Sequence, residues 1–263
     1  AIYNVSTVSN PAGCELAEAI STVSGTPAGT CAAPDASNTI NLATGTYDVS
    51  SLGLVAANIA GSLTIKGTGL PTETIIDGNN TVPGIQLTGG GTYNLSYLTI
   101  QRFQNNASNS PIVQYAGNLN LDHLIVKQNY CKYFPPEGDP GSPNLACVLF
   151  ANTVGSSSTF TVSNSSFTAN EAAFLFGGGS VAGEESTGGD VTINVFNNTF
   201  SNNNSSVANF VNTASEEATV EVYFYNNTLA DNINSLAPFA AVVVNVVGES
   251  TPSYNVDLYM RNN

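Results

Sequence analysis

One phrase recurs along this 263-residue chain and limits its fold more than any other feature. It runs apolar-x-apolar, then an Asn-rich break, a second short apolar stretch and another Asn. It reads LNLDHLIVKQN at 119–129, FTVSNSSFTAN at 160–170, INVFNNTFSNN at 193–203 and VEVYFYNNTLADN at 220–232, with looser copies LTIKGTG at 63–69 and YNLSYLTIQRF at 93–103. Alternation of this kind, filled by Val, Ile, Leu, Phe and Tyr and bounded by Gly, Asn and Ser, is the signature of short strands. A third apolar segment separates the phrases: GIQL at 84–87, PIVQY at 111–115, CVLF at 147–150, AFLF at 173–176, ANFV at 208–211 and FAAVVV at 239–244. The anchors Ile100, Val126, Phe167, Phe200 and Leu229 are separated by 26, 41, 33 and 29 residues, so length varies in the turns. Three strands per repeat, each beside its equivalent in the next, predict an all-β fold: a right-handed parallel β-helix of about eight coils. An antiparallel two-sheet sandwich is the alternative. Asn170, Asn203 and Asn232, with Asn129 below them, are expected to stack at one turn, because Asn tolerates left-handed backbone and its amide can bond to the same amide one coil along.

Residues 1–50 read differently from the array at 51–263, which is one continuous domain. In CELAEAISTVSG the apolar Leu16, Ala17, Ile20 and Val23 have helical spacing, and Gly25 would end the helix. A short amphipathic helix here would cap the open core of the first coil, as solenoid ends require. SNTINLATGTYDVS then reads as strand, glycine turn and strand. The order CELAEAI, Cys31, NTINLATGTYDV, GSLTIKGTG and TIIDGNN resembles the CSLREA-type N-terminal module of bacterial secreted right-handed parallel β-helix proteins, over about residues 1–80. The resemblance implies an exported, surface-associated protein with no one shared activity. Where that module has Arg before Glu, this chain has Ala17, so any role of the Arg is lost.

Only 9% of residues are charged, against a usual share of roughly 25%. Solubility must then come from Asn, Ser, Thr and Gly, which suits an extracellular protein. The net charge of −14 disfavours nucleic acid and polyanions such as pectate, and leaves neutral sugars or divalent cations as easier partners. No apolar run approaches the length of a membrane span. The start, AIYNVSTV, already reads as strand, so a signal peptide is expected to have been removed before Ala1. The four cysteines fall into two local pairs, Cys14 with Cys31 and Cys131 with Cys147. Three connectivities are possible. The local one closes two short loops worth roughly 3 kcal/mol each. A zinc site is the rival, but CxxC is absent and the one histidine is His123.

The sequence offers little catalytic chemistry. A polysaccharide lyase needs basic residues facing a carboxylate cluster. Arg102 and Lys127 fall one coil apart, with no Asp cluster opposite in the sequence. A glycoside hydrolase needs two spaced carboxylates, and Asp48, Asp77, Asp122 and Asp257 are isolated. His123 follows Asp122, and strand neighbours point to opposite faces, so the pair is not expected to form a dyad. No cofactor is implied beyond a weak prospect of calcium. Acidic turns at Glu137 and Asp139, at Glu184, Glu185 and Asp190, at Glu216 and Glu217, and at Glu249 are expected to form a solvated ridge or a cation-bridged contact surface. Ice binding is set aside because T-x-T does not repeat in register.

Of nine Asn-x-Ser/Thr sequons, Asn79, Asn94, Asn106, Asn164, Asn197 and Asn226 are the glycosylation candidates. The closing LYMRNN is the repeated phrase without its TF or TL. The readings are a trimmed chain, a frayed end, or a coil completed by another subunit through Ile2, Val5 and Val8 against Leu258 and Met260. The expectation is an extracellular structural or adhesive solenoid, in its most specific form a filament subunit assembling head to tail. A carbohydrate-active enzyme and a monomeric glycan-binding surface domain are the alternatives.

Overall fold

Alternating apolar residues give each strand one buried side, and the repeat length decides which strands meet. The computed structural model describes residues 1–7, 14–26, 28–52, 55–105, 113–131, 150–152, 157–171, 175–178, 190–204, 208–212, 219–233, 242–246 and 255–263. Nine strands succeed one another across its largest sheet: Ile2–Val5, Ser37–Leu42, Ser62–Gly67, Thr92–Gln101, Asn118–Lys127, Ser158–Ser163, Val191–Phe196, Thr219–Tyr225 and Asn255–Arg261. At about 4.8 Å per strand, eight steps span about 38 Å. After leaving this sheet the chain adds a strand elsewhere, then returns one place along. Val55–Asn58, Ile85–Thr88, Val113–Tyr115 and Phe150–Asn152 make a second sheet; Leu175–Gly178, Ala208–Asn212 and Val242–Val246 make another. Every ladder among the described residues is parallel, which overturns the antiparallel sandwich.

The anchors align as the sequence predicts: Ile100 opposite Val126, then Phe167, Phe200 and Leu229. One inward file runs Tyr3–Ile40–Ile65–Leu95–Leu121–Val162–Val195–Phe224, all buried. Within the core the Phe167 and Phe200 rings stack at 4.9 Å. The turn into the main strand relies on glycine: at Gly117, with φ 92°, an added Cβ would lie 2.3 Å from the Gly91 carbonyl oxygen.

From the strand Thr92–Gln101 onward, the chain turns at corners built from two residues. The first takes left-handed backbone and faces solvent; the second turns its side chain inward. At one corner Asn164, Asn197, Asn226 and Asn262 have φ of 50°, 58°, 54° and 54°. Ser165, Asn198, Asn227 and Asn263 follow them. At the next corner Gln128, Ala169, Asn202 and Asp231 have φ of 55°, 54°, 54° and 53°, followed by Asn129, Asn170, Asn203 and Asn232.

The inward amides form two ladders. In the expected one, the N–H groups of Phe103, Asn129, Asn170 and Asn203 donate to the Oδ1 of the next unit's Asn at 3.0–3.1 Å. Each Nδ2 donates back to a main-chain oxygen one unit behind: Asn129 to Ile100, Asn170 to Val126, Asn203 to Phe167 and Asn232 to Phe200. The second ladder, which sequence reading did not find, repeats the pattern. The N–H groups of Ser165, Asn198 and Asn227 donate to the Oδ1 of Asn198, Asn227 and Asn263. In the two units before it, Leu98 and Leu124 fill the inward place.

The helix is Leu16–Val23, and Glu18 accepts from the Glu15 N–H at its start. Gly25, at φ 91°, follows it. It buries Leu16, Ala19, Ile20, Thr22 and Val23, so its face is displaced from the expected one and Ala17 is only half-buried. Leu16 and Ile20 line a small apolar cavity of about 20 Å³ together with Val55, Ile76, Leu87 and Ile100. Cys14 and Cys31 form a disulfide that ties the segment around the helix back to itself. The Cys147 position and the Cys131 side chain lie outside the described residues. No helix among the described residues is long and apolar enough to cross a membrane.

Asn170 is fully buried, so Asn170→Ala would orphan the Asn129 N–H. It is expected to cost about 3 kcal/mol or more in denaturant unfolding. Asn120→Ala, on the outer face, should cost under about 1 kcal/mol. Replacing Cys14 and Cys31 by Ser should cost about 3 kcal/mol in the same measurement.

Candidate functional site

The side chains that point away from the core on the main sheet form files, because parallel register places like positions beside one another. One file runs Thr39–Thr64–Asn94–Asn120–Thr161–Asn194 and continues into Tyr223 and Tyr259. Beside it Ser37, Ser62, Thr92 and Asn118 align, and the Asn118 side chain, accepting from the Thr159 N–H at 2.8 Å, leads on to Thr159 and Thr192. Within these two files T-x-T occurs once, at Thr159 and Thr161, yet all twelve positions in the six units are Ser, Thr or Asn. Bonds along the files hold them in place: Ser62 Oγ to Ser37 Oγ at 3.0 Å, Asn94 Nδ2 to Thr64 Oγ1 at 3.3 Å and Asn120 Nδ2 to Asn94 Oδ1 at 2.9 Å.

The last described units change character. Phe196 aligns with Tyr225 and Asn194 with Tyr223. Tyr223 stacks on Tyr259, with centroids 5.0 Å apart and planes 9° from parallel, and Tyr225 lies 6.1 Å from Tyr223. Tyr259 is 45% exposed. Desolvation first, then the charge of Glu221, raises the Tyr223 phenol above its ordinary pKa. Glu221 aligns with Asp257 at the rim of this block.

A third outward file carries the polar cluster that corrects the expectation for Asp122 and His123. His123 has left-handed backbone, φ 52°, which interrupts the alternation and leaves two consecutive side chains on the outside. Its Nδ1 contacts Asp122 Oδ2 at 2.8 Å. Asp122 Oδ1 also accepts from Ser163 Oγ at 2.7 Å and Asn164 Nδ2 at 2.9 Å. Burial alone would raise the Asp122 pKa; the Ser163, Asn164 and His123 contacts outweigh it and hold the carboxyl below its ordinary value. The serine proton goes to the carboxylate rather than to the imidazole, so these three groups do not form the nucleophile–base–orienter chain of a hydrolase triad. Tyr97, also left-handed at φ 55°, stacks on His123 at 4.7 Å.

Asp77 is likewise not isolated. Its buried carboxylate accepts from Arg102 Nε and Nη2, from Gln101 Nε2 at 2.7 Å and from the Asn79 N–H at 2.8 Å. Burial would raise its pKa, and these donors outweigh it to leave the carboxyl below its ordinary value. Arg102 therefore folds back on Asp77, while Lys127 aligns with Gln101. The two cations are not a paired basic face.

Of the acidic ridge, only Asp190 is described, and it works as a strand cap: Oδ1 accepts from the Thr219 N–H at 3.0 Å. Glu184, Glu185, Glu216, Glu217 and Glu249, like Glu137 and Asp139, lie outside the described residues, as do Val8 and Asn106. Among the described residues no three His, Cys, Asp or Glu side chains are placed to hold a metal ion.

The sequons Asn164, Asn197 and Asn226 occupy the exposed left-handed corner position. The residue after each points inward, and the Ser or Thr opens the next short strand. Turn chemistry thus accounts for the Asn of each sequon here. Asn79 is also exposed and left-handed, while Asn94 is half-buried in its file. Ile2 is 68% exposed, whereas Val5 is buried; Leu258 packs against the core edge and Met260 is 47% exposed. Comparison with protein-family models, curated proteins and solved structures finds no match.

Because the Asp77 pKa is lower folded than unfolded, its ion pair stabilises fully above the unfolded value of about 3.9 and is lost as pH falls through the folded one. Between about pH 6 and about pH 3, wild type is expected to lose more unfolding free energy than an Asp77→Asn/Arg102→Met variant. Chemical denaturation at both pH values measures this.

Proposed function

We propose that the chain is a right-handed parallel β-helix that serves outside the cell as a structural or adhesive rod. The observation that carries the reading is the pair of Asn ladders, which tie units together from Phe103 to Asn232 at one corner and from Ser165 to Asn263 at the other, in addition to the backbone ladder. Parallel strands connected by crossovers favour the right-handed sense. The Cys14–Cys31 bond and the scarcity of charge support an oxidising, extracellular setting. The resemblance of about the first 80 residues to the CSLREA-type module supports export.

The more specific form of this reading is end-to-end assembly. Ile2–Val5 pairs in register with Ser37–Leu42 of its own chain, so it is not a loose donor. Its outer edge, and that of Asn255–Arg261, face no described strand. Parallel edges of this kind recruit one another, and a head-to-tail contact does not close. The Ala1 and Val5 carbonyls accept from the neighbouring strand, so alternation directs the Asn4 N–H to the open edge. Negative-stain electron microscopy of the purified chain and of Asn4→Pro provides the test. Filaments from the first and single rods from the second are expected. Single rods in both remove the assembly; globular particles without rods remove the β-helix.

A further inference from the structure

Resting on the reading of an exposed rod, we infer that the outward face of the main sheet binds a neutral polysaccharide chain laid along the files. The chemistry of the face matches that partner. Its two central files carry hydroxyls and amides alone across six consecutive units, on a molecule with 19 acidic residues and a net charge of −14. Such a face hydrogen-bonds sugar hydroxyls, and its two files hold no cation to pair with a carboxylate or sulfate.

Aromatic groups lie on the same face beside and beyond this polar stretch. Next to its third and fourth units Tyr97, 38% exposed, stacks on His123. Past its last unit Tyr223, Tyr225 and Tyr259 form a block that begins at Phe196. Ring surface supplies contacts for the C–H groups of a pyranose, and tyrosine hydroxyls add polar ones. From His123 to Phe196 is two strand steps, or about 10 Å, and from Tyr97 to Tyr259 five steps, or about 24 Å. An extended chain several sugars long reaches from the Tyr97–His123 pair to the tyrosine block while passing Asn120, Thr161 and Asn194.

The side chains are also held before any ligand arrives. Asn120 is bonded to Asn94, and Asn94 to Thr64, so binding costs little side-chain ordering. The outer face is separate from the inward amides, so it can be altered without opening the corners.

The test is co-sedimentation with insoluble cellulose and chitin, and affinity electrophoresis in soluble glucan, mannan and pectate. Retention by at least one neutral polymer and none by pectate is expected. Tyr223→Ala/Tyr259→Ala should weaken it about tenfold or more, as should Asn120→Lys/Thr161→Lys, with Tyr259→Phe close to wild type. Circular dichroism melts confirm that each variant is folded. No retention by any neutral polymer, equal retention by pectate, or unchanged binding in both double variants overturns the inference. Thermal hysteresis without polysaccharide binding overturns it in favour of an ice-like water lattice. Rod formation by microscopy is read separately, so failure of the binding face is distinguishable from failure of the fold.

Discussion

The buried asparagine amide is the interaction on which the rest of this structure depends. A chain that turns out of a parallel strand takes its main-chain N–H and C=O groups out of regular pairing while still inside the core, where an orphaned group costs about 1–3 kcal/mol. Asn answers both needs with one side chain. In Asn170 the Oδ1 accepts the Asn129 N–H and the Nδ2 donates to the Val126 carbonyl, one unit behind. Asp lacks the donor and Leu lacks both. Because each amide also bonds to the next, as Asn170 does to Asn203 at 3.1 Å, the units are linked in one direction by side chain as well as by backbone. Where the long strands Thr92–Gln101 and Asn118–Lys127 run through the first corner without a break, Leu98 and Leu124 suffice there.

Asparagine has a second role at the same corners, and the two are set by backbone sign alone. Asn197 takes φ 58° and faces solvent; Asn198 follows and is buried. This division explains why Asn stands at 164, 197 and 226. It also keeps the core amides apart from the sheet's outer surface, where Ser, Thr, Asn and Tyr are aligned by register and bonded along their files.

The fold was legible where periodicity carried it. Ile100, Val126, Phe167, Phe200 and Leu229 are strong apolar anchors at the same phrase position, and they pair as their spacing implied. The ladder at Asn129, Asn170, Asn203 and Asn232 was legible for the same reason. Its twin was not, because Leu98, Leu124 and Ser165 stand where Asn198, Asn227 and Asn263 later appear; the doublet Asn-Asn at 197–198, 226–227 and 262–263 was the available signal. Asp122 and His123 were misjudged because ideal alternation was assumed through a residue with positive φ. The Asp77–Arg102 pair was missed because residues far apart in sequence meet only through register, at spacings that differ from unit to unit.

Amide hydrogen exchange, resolved by residue, tests the corner most directly. The backbone N–H groups of Asn129, Asn170, Asn198 and Asn203, each held by the side chain of the next unit, are expected to exchange only with global unfolding, alongside the core amides of Leu121 and Val162. Exchange of those four at the rate of exposed turns, with Leu121 and Val162 still protected, would contradict a structure tied together by its buried amides.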